Sequence, residues 1–251
     1  MHTENMIPLW KVPQPELTLP EKDVHIWRAD LDLPIIGFRK LHQTLSIDER
    51  MRAERFYFEK DRRRFIAARG ILREILGCYL GVEPNAVRFW YENNGKPRLA
   101  GMSGKGAIYF NLSHSEGIAL YGFTRNHEIG VDIEYMRDIS EMDQMVEQFF
   151  SVREKRVFRT LPENQKKEAF FNCWTRKEAF IKAVGDGLSR PLDSFAVTLG
   201  RGDPARLLRI EEDSNVAFRW SIQDLRPTPG FVAAIAVEGE NLELRCWQWS
   251  N

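Results

Sequence analysis

Polar and apolar positions along the chain follow two rhythms, a period near two in short runs and a period near 3.6 in a few long ones. "DVHIWRADL" alternates as a strand. "SIDERMRAERFYFEKDRRRFIAARGILREILG" continues as a long helical region, with Ser46 and Glu49 in capping-box spacing and Gly77 as its stop. "VRFWYE" reads as a strand closed by the turn "NNGKP", and "AIYFNLSHS" and "GIALYGFT" read as further strands. A turn at "RNHE" leads into the strand "IGVDIE". Two helical regions follow, "DQMVEQFFSVREKRVFRTL" and "KKEAFFNCWTRKEAFIKAVG", before the strands "SFAVTL", "FRWSIQDL", "FVAAIAVE" and "LELRCWQW". "FIAARGILREILG" and "CWTRKEAFIKAVG" are equal in length, end in glycine and precede a turn and a strand, the mark of a weak internal duplication. The fold expected is α+β: two pseudo-symmetric α+β lobes, residues 1–126 and 127–251, with a ligand cleft at their seam.

Composition narrows the function classes. The 251 residues suffice for one large domain or two small ones, and 36 basic residues balance 36 acidic ones. No global field therefore points to nucleic acid or an anionic membrane. Cys78, Cys173 and Cys246 share no paired or metal-like spacing, which suits a reducing cytosol. The N-terminus mixes charge with Pro8, Pro13, Pro15 and Pro20 and has no signal-peptide core, and no apolar run approaches the ~20 residues that span a bilayer. A soluble, cytoplasmic, monomeric protein is expected.

Candidate chemistry concentrates in three stretches. In "GVDIE", alternation puts Asp132 and Glu134 on one face, about 7 Å apart, where their repulsion costs on the order of 0.6 kcal/mol in water and ~2 kcal/mol near a protein surface. Either the pair lines the solvent face of an edge strand or it awaits a cation. In "FFNCWTRKEAFIKAVG", Phe170, Trp174, Phe180, Ile181 and Val184 share an apolar arc that also contains Lys177, a charge that must be paired or functional if buried. Glu178, at the edge of that arc, is either an i,i+4 partner of Lys182 on the surface or a third carboxylate beside Asp132 and Glu134. Three hard oxygen donors form a Mg²⁺-like set, and the lack of a Cys/His cluster disfavours zinc. Anion-binding groups are Arg62, Arg63 and Arg64, then Arg69 and Arg73 along the following helix, with Lys96 on a turn and Ser113 and His114 at a strand end. Most such charges belong to solvated faces, so only one or two of these arginines are expected to bind. No P-loop, dinucleotide fingerprint or nucleophile elbow is present.

Taken in order, "NGKP", "FNLSHS", "IGVDIE" and "WTRKEAFIKAVGDGLSRPLDSF" resemble the 4′-phosphopantetheinyl transferases of the surfactin-synthetase-activating type, over about Ser46 to Phe195. The resemblance implies coenzyme A as co-substrate bound between two lobes, and a Mg²⁺ cofactor. It also implies transfer of the phosphopantetheine arm to a serine of an apo acyl or peptidyl carrier protein, with release of adenosine 3′,5′-bisphosphate. The metal ligands it implies fall on Asp132, Glu134 and Glu178, the coenzyme A contacts on Arg64, Lys96, Ser113, His114 and Lys177, and the catalytic residues on Glu178 and Lys182. One departure is Glu49, which stands where close relatives carry a lysine, with Arg52 at a second such site. Two rival readings are a catalytically silent carrier-binding module and a metal-dependent phosphoesterase that would hydrolyse coenzyme A without an acceptor.

Overall fold

The architecture, taken from a computed structural model, is described for residues 10–13, 16–102, 104–200, 202–210 and 216–250. The proline-rich N-terminal stretch lies partly outside these residues. The first half runs β1 (Asp23–Asp30), α1 (Ile35–Thr44), α2 (Ile47–Ala53), α3 (Glu59–Leu80), β2 (Phe89–Tyr91), β3 (Pro97–Leu99), β4 (Ile108–Ser115) and β5 (Ile118–Arg125). The second runs β6 (Ile129–Tyr135), α4 (Met142–Phe149), α5 (Val152–Thr160), α6 (Glu163–Val184), β7 (Phe195–Val197), β8 (Leu207–Ile210), β9 (Trp220–Leu225), β10 (Phe231–Glu238) and β11 (Glu243–Gln248).

The order repeats. Each half opens with a strand, adds helices that end in one of 22 residues, inserts a two-stranded ribbon and closes with an antiparallel strand pair. In each main sheet the opening strand lies beside the last strand of its half: β1-β5-β4 and β6-β10-β9. The exception is β11, which leaves the second half and pairs in parallel with β1 at the outer edge of the first sheet. The helix α3 packs against β1, β5 and β4, and α6 packs against β6 and β10. A third cluster, including Ile26, Leu120, Val131, Ile133 and Ile235, fills the space between the sheets. The core is thus layered helix, sheet, sheet, helix, and β4 and β6 lie alongside one another where the halves meet.

Three local expectations change. The first long helical region is two helices, because α2 ends in a tightened turn in which the Phe56 N–H bonds the Ala53 carbonyl, and Phe56 folds back onto Phe65. Gly77 does not stop α3. It lies inside the helix because a Cβ there would sit 2.8 Å from the Val82 carbonyl, and the stop is Gly81, in the left-handed conformation at φ +64°. The region "DQMVEQFFSVREKRVFRTL" also divides, because Ser151 and Glu154 form a capping box that starts α5. The helix α1 and strand β8 were not anticipated: α1 buries only Gly37 and Leu41, too few apolar positions to print a 3.6-residue period.

The halves also share a buried device. Glu49, the capping-box acid of α2, accepts hydrogen bonds from Arg69 Nε at 2.7 Å and Arg73 Nε at 2.6 Å, both carried by α3. Glu154, the capping-box acid of α5, pairs with Lys177 Nζ of α6 at 2.8 Å, with both side chains essentially inaccessible. Burial would raise the Glu49 carboxyl, but Arg69, Arg73 and the Ser46 N–H outweigh it and hold the group below its usual range. The departure at Glu49 therefore has a structural reason: the acid caps a helix and fixes two arginines in the core. Arg52 lies over the Phe65 ring, 5.6 Å from its centroid.

Candidate active site

The seam between β4 and β6 is stitched by side chains. The Val131 N–H donates to Asn111 Oδ1 at 2.9 Å, Ser113 Oγ donates to Asp132 Oδ1 at 3.0 Å, and Ser115 Oγ donates to Glu134 Oε2 at 3.2 Å. Residues 111, 113 and 115 alternate along β4, so one face of "NLSHS" meets one face of "VDIE". The other cover on β6 is α6, which approaches so closely that a Cβ on Gly130 would lie 2.0 Å from the Ala179 carbonyl oxygen and 2.4 Å from the Ala183 nitrogen. Glycine is required there by proximity. That contact brings Glu178 and Lys182, on α6, to the two acids of β6.

Asp132 is 4% exposed, so it does not line a solvent face. Its Oδ1 receives Lys182 Nζ at 2.6 Å as well as Ser113, while Oδ2 is buried with no partner among the described residues. Lys182 therefore reaches across the seam rather than forming a surface pair with Glu178. Burial, reinforced by the charge of Asp132, raises the Glu134 carboxyl above its usual range, and among the described residues the cation that pairs with it is Arg137, at 3.8 Å. Burial also raises Glu178; Lys182 opposes the shift and Asp132 adds to it. The Glu178 carboxylate makes no hydrogen bond with any described residue. Three carboxylates are thus met by one ammonium, bonded to Asp132 and Ser113, and by the more distant Arg137, a local excess of negative charge in a half-buried setting. Among the described residues no three His, Cys, Asp or Glu side chains are already drawn into a metal-holding cluster. The donor chemistry nevertheless suits a hard divalent ion: all oxygen, anionic, and with one buried oxygen unclaimed.

Beside these acids opens a cleft of about 520 Å³. Its walls include the 94–97 turn, Asn111 and Leu112 of β4, Gln148 and Phe149 at the end of α4, Glu178, Ile181 and Lys182 of α6, and the segment Arg190–Asp193. Lys96 lines the cleft, but its Nζ already donates to Glu128 Oε2 at 2.9 Å and to the Ala183 carbonyl at 2.8 Å, near the C-terminal end of α6. Burial lowers the Lys96 ammonium from its usual value, against the pull of Glu128. Arg98 completes this network, bonding both Glu128 oxygens and Glu92. His114 stands exposed at the end of β4, its proton affinity lowered by desolvation and then by Lys182 and Arg64. Arg64, from the second turn of α3, grips Asp32 with Nε at 2.9 Å and Nη2 at 2.7 Å beneath the tight β4–β5 turn at Glu116 and Gly117. Ser113, Asp132 and Lys182 thus gather at one point, with Glu178 one helical turn before Lys182 on α6, His114 and Arg64 toward the hairpin end and Lys96 on another wall.

Lys177 is a correction. Its ammonium is buried, bound to Glu154 and to the Leu192 and Phe195 carbonyls at 2.7 and 2.6 Å, on the core side of the cleft wall. It cannot meet coenzyme A without breaking that pair, so it holds α6, α5 and the 192–195 segment together. Of the arginine run, Arg69 and Arg73 are likewise committed to Glu49. Two site residues escaped the sequence reading: Asn111, which shares its alternation with Ser113, and Glu128, whose partners lie about 30 residues away and left no local signal.

Comparison with known proteins identifies the family. The 4′-phosphopantetheinyl transferase superfamily description matches residues 128–236, and that of the 4′-phosphopantetheinyl transferase N-terminal region matches residues 34–121. The 4′-phosphopantetheinyl transferase HetI of Nostoc sp. is 43% identical over 240 residues, covering 96% of this chain and 98% of that protein. A putative 4′-phosphopantetheinyl transferase of Synechocystis sp. is 33% identical over 183 residues, 72% of this chain and 69% of its own. The 4′-phosphopantetheinyl transferase Sfp of Bacillus subtilis is 31% identical over 155 residues, 62% of this chain and 66% of its own. With β4, β6 and α6 assembled across the span these likenesses cover, the chain belongs to the 4′-phosphopantetheinyl transferase superfamily.

Proposed function

We propose that the cleft bounded by β4, α6 and the 94–97 turn is where this transferase works, with the acids of β6 and α6 as its metal ligands. The reaction moves 4′-phosphopantetheine from coenzyme A to a serine of an apo carrier protein and releases adenosine 3′,5′-bisphosphate. The observation that carries the site is Asp132: a buried carboxylate with an unclaimed oxygen, flanked by two acids whose protons burial makes harder to remove. Asp132, Glu134 and Glu178 would hold Mg²⁺, which supplies charge neutralisation for a pyrophosphate that the acids alone would repel.

The remaining chemistry belongs to the chain. The serine Oγ–P bond forms at the phosphorus on the pantetheine side, while the P–O bond to the bisphosphate breaks. Glu178 accepts the serine proton directly or through a water. Lys182 offsets charge on the departing bisphosphate. Ser113, His114, Arg64 and Lys96 orient coenzyme A, with Lys96 held ready by Glu128. In this reading the chain forms two lobes, 1–126 and 127–251, is cytoplasmic and acts as a monomer on an acyl or peptidyl carrier. The test is intact mass spectrometry of a panel of apo carriers incubated with coenzyme A and Mg²⁺. A carrier gaining the phosphopantetheine mass is expected. Coenzyme A cleaved equally well without any carrier would identify a phosphoesterase instead, and no cleavage or transfer with any carrier would identify a silent module.

A further inference from the structure

The place proposed for the divalent ion already contains a cation, the ammonium of Lys182. It sits 2.6 Å from Asp132 Oδ1 and 3.1 Å from Ser113 Oγ, and Ser113 in turn donates to the same Oδ1 at 3.0 Å. This closed triangle saturates one oxygen of Asp132 and leaves the other, Oδ2, buried and without a partner among the described residues. Glu178, one helical turn before Lys182, has no hydrogen bond to any described residue, although it carries the flanking charge of a would-be ligand. A lysine supplies one positive charge, too little for three carboxylates, and its three donors favour separate acceptors over a shared centre. The acids are accordingly not drawn together in this structure. The Lys182 side chain is 30% exposed and hangs on four methylenes from the last turn of α6, so its head can leave for water at small desolvation cost.

We propose that Lys182 is an internal counter-ion that competes with the divalent cation for Asp132, so that metal loading releases the lysine into the cleft. This rests on the reading of Asp132, Glu134 and Glu178 as metal ligands. An ammonium and a divalent ion on one carboxylate repel each other, so occupancy by one opposes the other, and the coupling is reciprocal. The exchange gives the lysine two stations. Without metal it neutralises the buried Asp132 and keeps that carboxylate from being stranded. With metal it is free at the moment a phosphate needs a cation. An anionic ligand that draws Lys182 away from Asp132 also opens the carboxylate, so metal and coenzyme A favour each other's binding through this chain's own side chain.

The experiment measures Mn²⁺ binding by the electron paramagnetic resonance of the free ion, alone and with coenzyme A but no acceptor, so that no turnover occurs. It compares wild type, Lys182→Gln, Lys182→Arg and Asp132→Ala. Lys182→Gln is expected to bind Mn²⁺ about tenfold more tightly or better, within the range of site-to-site couplings, while Lys182→Arg stays near wild type. In the wild-type protein, reductive methylation read by mass spectrometry should be slow at Lys182 without metal and fast with it, with buried Lys177 protected in both states as an internal control. Unchanged Mn²⁺ affinity in Lys182→Gln, or equal Lys182 reactivity with and without Mn²⁺, would overturn the exchange. The methylation readout needs no variant, so a Lys182→Gln protein that failed to fold would still leave the exchange decided. If Asp132→Ala bound Mn²⁺ as well as wild type, or wild type bound none, the metal site itself would fall, and that result is distinguishable from the first two.

Discussion

Replacing Gly130 by alanine adds one methyl group where β6 and α6 meet backbone to backbone. The new Cβ would lie 2.0 Å from the Ala179 carbonyl oxygen and 2.4 Å from the Ala183 nitrogen, both backbone atoms of a packed helix. Restoring an ordinary contact of 3.4 Å to that oxygen requires about 1.4 Å of movement between β6 and α6. An extra methylene in a packed core typically costs about 1–3 kcal/mol, and backbone on both sides leaves no rotamer to absorb the strain, so about 3 kcal/mol or more is expected. For a chain of this length that is a fall in Tm of roughly 6–12 °C. The same displacement exceeds the slack in the 2.6 Å Lys182–Asp132 bond and misplaces Glu178, so transfer should fall even at temperatures where the variant remains folded. Thermal unfolding and steady-state transfer at 15 °C check both parts. Near-wild-type Tm and kcat would refute the argument that α6 rests directly on Gly130.

Two further outcomes follow from buried charges. Lys177→Met should cost about 3–5 kcal/mol by stranding Glu154 in the core, while coenzyme A KM per folded molecule changes little; a steep rise in KM at unchanged stability would return Lys177 to the cleft. His25 is buried on β1, and desolvation, partly opposed by Asp23, lowers its pKa from 6.5 to about 4. The folded state thus disfavours the protonated ring, so this contribution is complete above pH 6.5 and is lost as pH falls toward about 4, a total of about 3 kcal/mol. Urea unfolding across that window should show the slope in wild type and a shallower one in His25→Gln, and identical slopes would rule His25 out as its source.

How far the chain could be read depended on whether the decisive partner was local. Alternation in "GVDIE" placed Asp132 and Glu134 together without any structure, because period two survives whatever covers the strand. That β6 is covered on both sides was not legible, since the cover comes from β4 and from α6, some 20 and 50 residues away. Lys177 announced itself as a charge inside an apolar arc, to be paired or functional if buried, and it is the pairing that the structure has, not the contact with coenzyme A. Its partner Glu154 went unread, although "SVRE" repeats the capping-box spacing of "SIDE" at Glu49, and nothing local joins Glu154 to Lys177. Gly77 and Gly81 show the limit from the other side. Both are glycines near a helix end, one for a close backbone approach and one for a left-handed cap, and sequence spacing does not separate those demands. Lys96 was rightly placed on a turn, but its capture by Glu128 depends on the two halves meeting.

The central claim, that Asp132 and Glu178 form the catalytic metal site, is tested most directly by kcat and its Mg²⁺ dependence in Asp132→Ala and Glu178→Gln, with unfolding measured in EDTA alongside. Asp132→Ala loses the Lys182 bond but also removes a buried oxygen that has no partner among the described residues, so metal-free stability should stay within about 1 kcal/mol of wild type. Its kcat should fall by about a hundredfold or more, and extra Mg²⁺ should restore Glu178→Gln only in part, because a proton acceptor is lost together with a ligand charge. Wild-type turnover at ordinary Mg²⁺ in either variant would contradict the account.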